Sequence, residues 1–294
     1  MYEAGRGKLR PADSITHRKR LSYAAFLKER VKYALDCKPE RSPSLRQSAD
    51  FQTLCRDGIV MIPGFLAPEQ VEAYVRQIKA DTPIFDGQVE VSDIGSCILN
   101  DADQVGDFQA FFESPLIQAM ARAYVSADVE TPRKQIMLKL KPGEEAYSDF
   151  YHIDHWEHKL RAFLLLQDVS ADNAPLVYLK GSHRLKPWRL RKEFEIFHHF
   201  RPAPKDVRYA TPHTTEESKW SGMCLAPEVY NIGRAHGYEE YIATGTAGSL
   251  LLFDAKGLHH STALKQGTRL LLAMHLDRRS KGYFKRVMDY EGQG

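Results

Sequence analysis

A chain of 294 residues with 43% hydrophobic, 11% aromatic and 27% charged residues can bury a sizeable core, which excludes a disordered tail and a fibrous repeat. Its 41 basic and 38 acidic residues leave a net charge of +3, too near balance to argue for a nucleic-acid partner, and no apolar run of about 18 residues is present to cross a bilayer. The cysteines, Cys37, Cys55, Cys97 and Cys224, are scattered without a CxxC pair, and no apolar leader opens the chain, so a reducing, cytoplasmic setting is expected.

Residues 1–47 read as a basic N-terminal extension, since the first 50 positions carry 12 Lys/Arg against 6 Asp/Glu. Within it, Tyr23, Phe26, Leu27 and Val31 at helical spacing predict one amphipathic helix over Ser22 to Leu35, its basic residues on a solvated face. Residues 48–294 read as the main domain. It opens with a helix ending near Cys55, a short apolar strand from Ile59 to Ile62 and a Pro63-Gly64 turn. A helix follows from Pro68, with Val71, Tyr74, Val75 and Ile78 on one face.

Beyond about residue 133 strands dominate: Gln135 to Leu140, Ala162 to Val169, Leu176 to Leu179, Ser249 to Phe253 and Leu270 to Leu276. Turns at Pro142-Gly143, Asp172-Asn173, Gly181-Ser182 and Gly267 separate them. Many short strands without strict strand-helix alternation predict an antiparallel double-sheet barrel or jelly roll rather than a parallel sheet. The stretch 185–248, rich in Trp, Tyr, His, Arg and Pro with little clear period, reads as a lid-like insertion.

The twelve histidines cluster, three of them at His152, His155 and His158 and two at His259 and His260. On a strand, residues two apart face one way, so His152 and Asp154 present an imidazole and a carboxylate to one point. The strand ending at Asp254 leads on to His259, which a jelly roll can fold back beside them. Two histidines and one carboxylate on one face leave open positions on a ferrous ion, the arrangement used by oxygenases. Neighbouring strand residues point oppositely, so only one of His259 and His260 can face that metal. Arg269, just past Gly267 at the start of an apolar strand, suits two-pronged pairing with a carboxylate.

Four separate segments resemble the phytanoyl-CoA dioxygenase family of Fe(II)- and 2-oxoglutarate-dependent oxygenases: Arg56-Asp57-Gly58-Ile59-Val60-Met61-Ile62-Pro63-Gly64-Phe65-Leu66; His152-Ile153-Asp154; Asn173-Ala174-Pro175-Leu176 with Gly181-Ser182-His183-Arg184; and Gly248 to Asp254 through His259 to Arg269. The resemblance implies a mainly β fold with flanking helices around a double-stranded β-helix (jelly-roll, cupin-like) core. It further implies that His152, Asp154 and His259 hold Fe(II), that Arg269 with Ser261 binds the distal carboxylate of 2-oxoglutarate, and that Gln135 and Lys139 serve the cosubstrate from the strand before the HxD motif. The activity implied is oxidation, above all hydroxylation, of a small-molecule metabolite with O2 as oxidant and succinate and CO2 as products. Desaturation, epoxidation and ring closure, or a cupin-like metal-binding protein without turnover, are the alternative readings; oligomeric state stays open. Two positions depart from the family pattern, Ala174 where a Gly is usual and Lys180 where a Pro is usual.

Overall fold

The computed structural model describes residues 22–81, 96–140, 151–154, 157–199 and 235–279. Helices α1 (Tyr23–Asp36), α2 (Pro43–Gln47) and α3 (Ala49–Asp57) lead to strand β1 (Ile59–Ile62) and helix α4 (Pro68–Asp81). Strand β2 (Ser96–Asn100), helices α5 (Gln109–Phe112) and α6 (Pro115–Tyr124), and the long strand β3 (Val129–Lys139) follow. Then come β4 (Lys159–Leu165), β5 (Leu176–Leu179), α7 (Pro187–His199), β6 (Glu240–Ile242), β7 (Leu250–Asp254), β8 (His259–Ser261) and β9 (Arg269–Arg278).

Local chemistry sets several boundaries. Ser22 caps α1 by accepting the N–H of Ala25, and Ser114 caps α6 by accepting that of Ile117. Gly58 ends α3 with φ of +81°, a left-handed turn that L side chains rarely adopt, and a Cβ there would stand 2.3 Å from Nδ1 of His183.

Six strands form one sheet in the order β1-β7-β4-β9-β3-β2, and three form another in the order β6-β5-β8, every pair antiparallel. Alternation gives the larger sheet two faces. Ile136, Leu138, Leu160, Ala162, Leu164, Leu250, Leu252, Leu270, Leu272 and Met274 bury one face under the helices, against Phe51, Tyr74, Ile78, Phe108 and Ile117. The opposite face is turned inward: Ile59, Leu251 and Phe253 pack against Leu176 and Tyr178 of the smaller sheet. Arg269, Lys139, Gln135 and Arg161 alternate with the helix-facing residues and therefore lie on this inner face.

The expected jelly roll is thus the fold, with differences in detail. Strand β3 starts at Val129, extended by a polar, bulged stretch between Glu130 and Arg133 that carries no apolar period. The expected strand from Ala162 to Val169 lies at Lys159–Leu165. Strands β2 and β6 and helices α2, α5, α6 and α7 were not anticipated, α2 being a second helix at the end of the segment 1–47 read as having one. Helix α1 sits as expected but buries Phe26, Arg30 and Tyr33, while Tyr23 and Val31 are exposed. Arg30 is inside because its guanidinium faces the buried carboxylate of Glu193, 3.3 Å away on α7. Helix α7 opens the segment read as a lid, and it docks on α1 through Leu190 and Phe194. Positions 200–234 of that segment lie outside the described residues, as do His155, Trp156, Trp220 and Cys224.

Candidate metal centre

His152, Asp154 and His259 come together with one potential ligand atom from each within 4.8 Å of the other two. Nε2 of His152 and Nε2 of His259 each lie 3.5 Å from Oδ1 of Asp154. The sequence reading placed the HxD motif on a strand; instead His152 makes a single antiparallel bridge with His259, and Asp154 stands in a bend just beyond. Backbone bonds hold this arrangement. The N–H of His152 donates to the carbonyl of His259, the N–H of His259 to that of His152, and the N–H of Asp154 to Ala255.

The choice between the adjacent histidines follows from register. Tyr178 pairs with His259, so the His259 ring points to the inner face, where it packs against Tyr178 and Phe253. His260 pairs with Val177 and points outward, its ring edge-on to Tyr151 with centroids 4.3 Å apart. Nδ1 of His259 lies 2.9 Å from the carbonyl of Gly257, a contact in which this nitrogen donates and leaves Nε2 as the basic atom facing Asp154.

Burial by itself would push the Asp154 carboxyl up. The imidazoles of His152 and His259 beside it and the charge of Arg161 outweigh that cost and hold the group well below the usual carboxylate range. The carboxylate is thus ionised, as a metal ligand must be, and at 34% exposure it is the most open of the three side chains. Two imidazole nitrogens and one anionic oxygen brought within ligand distance of one point fit a divalent iron.

Arg161 was not singled out from the sequence. Its Nε lies 3.5 Å from Oδ2 of Asp154, and its Nη1 donates to Oδ1 of Asp277 at 2.8 Å, so it braces the carboxylate oxygen turned away from the histidines. A signal was present: an arginine between Leu160 and Ala162 breaks an apolar strand at the period that places it on the inner face.

Lys139 and Arg269 stand directly opposite each other on β3 and β9, both on the inner face. Two cationic donors on one inner surface, one of them a planar guanidinium, are suited to a carboxylate. One prong of Arg269 donates to the carbonyl of Ala174, and the Asn173 amide reaches the Thr268 carbonyl at 3.3 Å, so the Asn173-Ala174-Pro175 turn fixes the arginine. Gln135 shares the face, but its amide donates to Asn100 of β2 at 2.7 Å. Ser261 lies on the His259 side of β8, with its hydroxyl 3.4 Å from the carbonyl of Thr262. His183 is buried in its turn, against the Cys55 carbonyl. Ser182 accepts the N–H of Leu258 at 2.8 Å, one residue before His259.

The family model for phytanoyl-CoA dioxygenase (PhyH) matches residues 54–269. The crystal structure of the epimerase SnoN with Fe3+, alpha ketoglutarate and nogalamycin RO is similar at a TM-score of 0.54 and 19% identity, over 85% of this chain and 91% of that one. EctD from S. alaskensis in its apoform gives 0.53 and 18%, over 85% of each chain. The carbocyclase SnoK from nogalamycin biosynthesis gives 0.52 and 13%, over 87% of this chain and 95% of that one. Likeness at such identities is one of fold. No curated protein matches the chain.

Proposed function

The chain belongs to the phytanoyl-CoA dioxygenase family, and from that premise we propose that it is a 2-oxoglutarate-dependent dioxygenase that hydroxylates a small-molecule metabolite, with His152, Asp154 and His259 as its iron ligands. The observation that carries this reading is the convergence of two imidazoles and an ionised carboxylate, one ligand atom from each within 4.8 Å of the others. Bound there, Fe(II) supplies the chemistry that couples O2-dependent decarboxylation of 2-oxoglutarate, to succinate and CO2, with oxidation of a C–H bond.

The residues of this chain supply position and charge. Gly257 orients the His259 ring, and Arg161 engages the second oxygen of Asp154, so each would hold its ligand in place for an iron bound there. Lys139 and Arg269 receive the distal carboxylate of 2-oxoglutarate, with Gln135 and Ser261 as polar neighbours on the same inner surface. The insertion 185–248 is the segment to which substrate selection is assigned.

The test is an aerobic screen of candidate metabolites with Fe(II) and 2-oxoglutarate, following succinate and product mass. Succinate formation coupled to a gain of one oxygen supports hydroxylation. A loss of two hydrogens replaces it with desaturation or ring closure, an unchanged mass with epimerisation, and no succinate with any substrate overturns the enzymatic reading.

A further inference from the structure

A cavity of about 790 Å³ lies between α1, α3 and the barrel, and neither the three converging metal-side residues nor the Lys139–Arg269 pair lines it. Arg30, Arg46, Arg184, Lys256, His158 and His183 contribute to its wall, and among the described residues that line it none is Asp or Glu. The nearby carboxylates are already engaged behind the wall. Asp254 accepts from Tyr124 at 2.8 Å and faces Nδ1 of His158 at 2.7 Å, while Glu193 is held by Arg189 and Arg30.

Lys256 is the exception. Its side chain is 2% exposed, its backbone is tied to Asp254 and Arg189, and its ammonium has no hydrogen bond or ion pair among the described residues. Lys256 lines the cavity, so a charge not taken up by a protein acceptor is available there to an anionic group that enters. Burial, and then the charge of Arg189, pull this lysine down to about 8 against the attraction of Glu193 and Asp254, and a bound anion would favour its charged form. Phe51, Val125 and Leu185 supply apolar wall, and the volume is that of a metabolite-sized site rather than of a bare ion.

We propose that this cavity is a second ligand site, which binds an organic anion whose carboxylate or phosphate head pairs with Lys256, with Arg184 at the rim, and whose apolar body lies against Phe51 and Val125. The site stands apart from the iron reading and does not depend on it. It adjoins the metal centre through one turn: Ala255 and Gly257, on either side of Lys256, are the residues whose carbonyls hold Asp154 and His259.

Calorimetric titration of the full chain with benzoate, phenyl phosphate and the neutral benzyl alcohol tests the proposal. Saturable binding of benzoate or phenyl phosphate but not of benzyl alcohol is expected, and the stronger anion identifies the head group. Lys256→Met should weaken it roughly tenfold or more, the loss of one charge-assisted contact, and Arg184→Ala more modestly. Should Lys256→Met fail to fold, trace acetylation of the unaltered protein decides: the bound anion must slow modification of Lys256. No saturable binding at millimolar concentration, affinity unchanged in both variants, or binding lost in Arg269→Ala but kept in Lys256→Met would each overturn the site.

Discussion

The three converging side chains and the outward-facing histidine next to them should part company under mutation. His152→Ala, Asp154→Ala and His259→Ala are each expected to abolish 2-oxoglutarate turnover, whereas His260→Ala should retain a measurable fraction, because its ring packs on Tyr151 outside the barrel. Anaerobic Fe(II) titration checks this directly, and full iron affinity in His259→Ala with none in His260→Ala would reverse the assignment. At the other end of the inner face, Arg269→Lys keeps the charge but loses the planar two-pronged geometry. The apparent KM for 2-oxoglutarate should rise roughly tenfold or more, since a charge-assisted hydrogen bond is worth about 1.5 to 3 kcal/mol. An unchanged KM in both Arg269→Lys and Arg269→Ala would place the cosubstrate elsewhere.

Two family departures acquire physical meaning among the turns and strands. Ala174, buried in the turn before β5, has φ of +62°, the left-handed region where a glycine is at ease and an alanine is strained. Ala174→Gly should relieve that strain by more than the unfolded chain gains in freedom, a net stabilisation of about 0.5 to 1 kcal/mol. Urea denaturation checks the sign, and a destabilised variant would show that the turn gains more from the methyl group than it loses in φ. Lys180, at the position where the family has proline, donates its N–H to Glu239 and sets its ammonium 2.7 Å from that residue's carboxylate. A proline could make neither bond, so this substitution ties the end of β5 to residues just before β6.

Across the molecule, buried histidines make stability depend on acidity. Burial pulls His183 down to about 4 from an ordinary value of 6.5. Between those values the unfolded chain takes up a proton that the folded one refuses. Stability is therefore complete above the unfolded value and lost as pH falls toward 4, at up to about 1.4 kcal/mol per pH unit. Asp254 works in the same direction lower on the scale: burial raises it, but the charge and hydrogen bond of His158 hold it well down, so its contribution is present above its ordinary 3.8 and lost below. Urea midpoints should fall on acidification from pH 7, and His183→Gln should flatten the slope across the 4 to 6.5 window. An identical slope in that variant would assign the effect to other groups.

What the sequence determined by itself was whatever depends on neighbours along the chain. Alternation and turn residues marked β1, β5, β7 and β9 nearly to their ends, and the spacing of His152, Asp154, His259 and Arg269 carried both the donor types and the family. Tertiary structure decided whatever depends on partners far apart in number. It turned the His259 ring inward and the His260 ring outward through pairing with β5, set Lys139 across from Arg269, and brought Arg161, a charge within an apolar strand, to Asp154. It also drew Arg30 of α1 inside to meet Glu193 of α7, which no helical period could reveal, because a buried charge is legible only from the opposite charge that arrives from elsewhere in the fold.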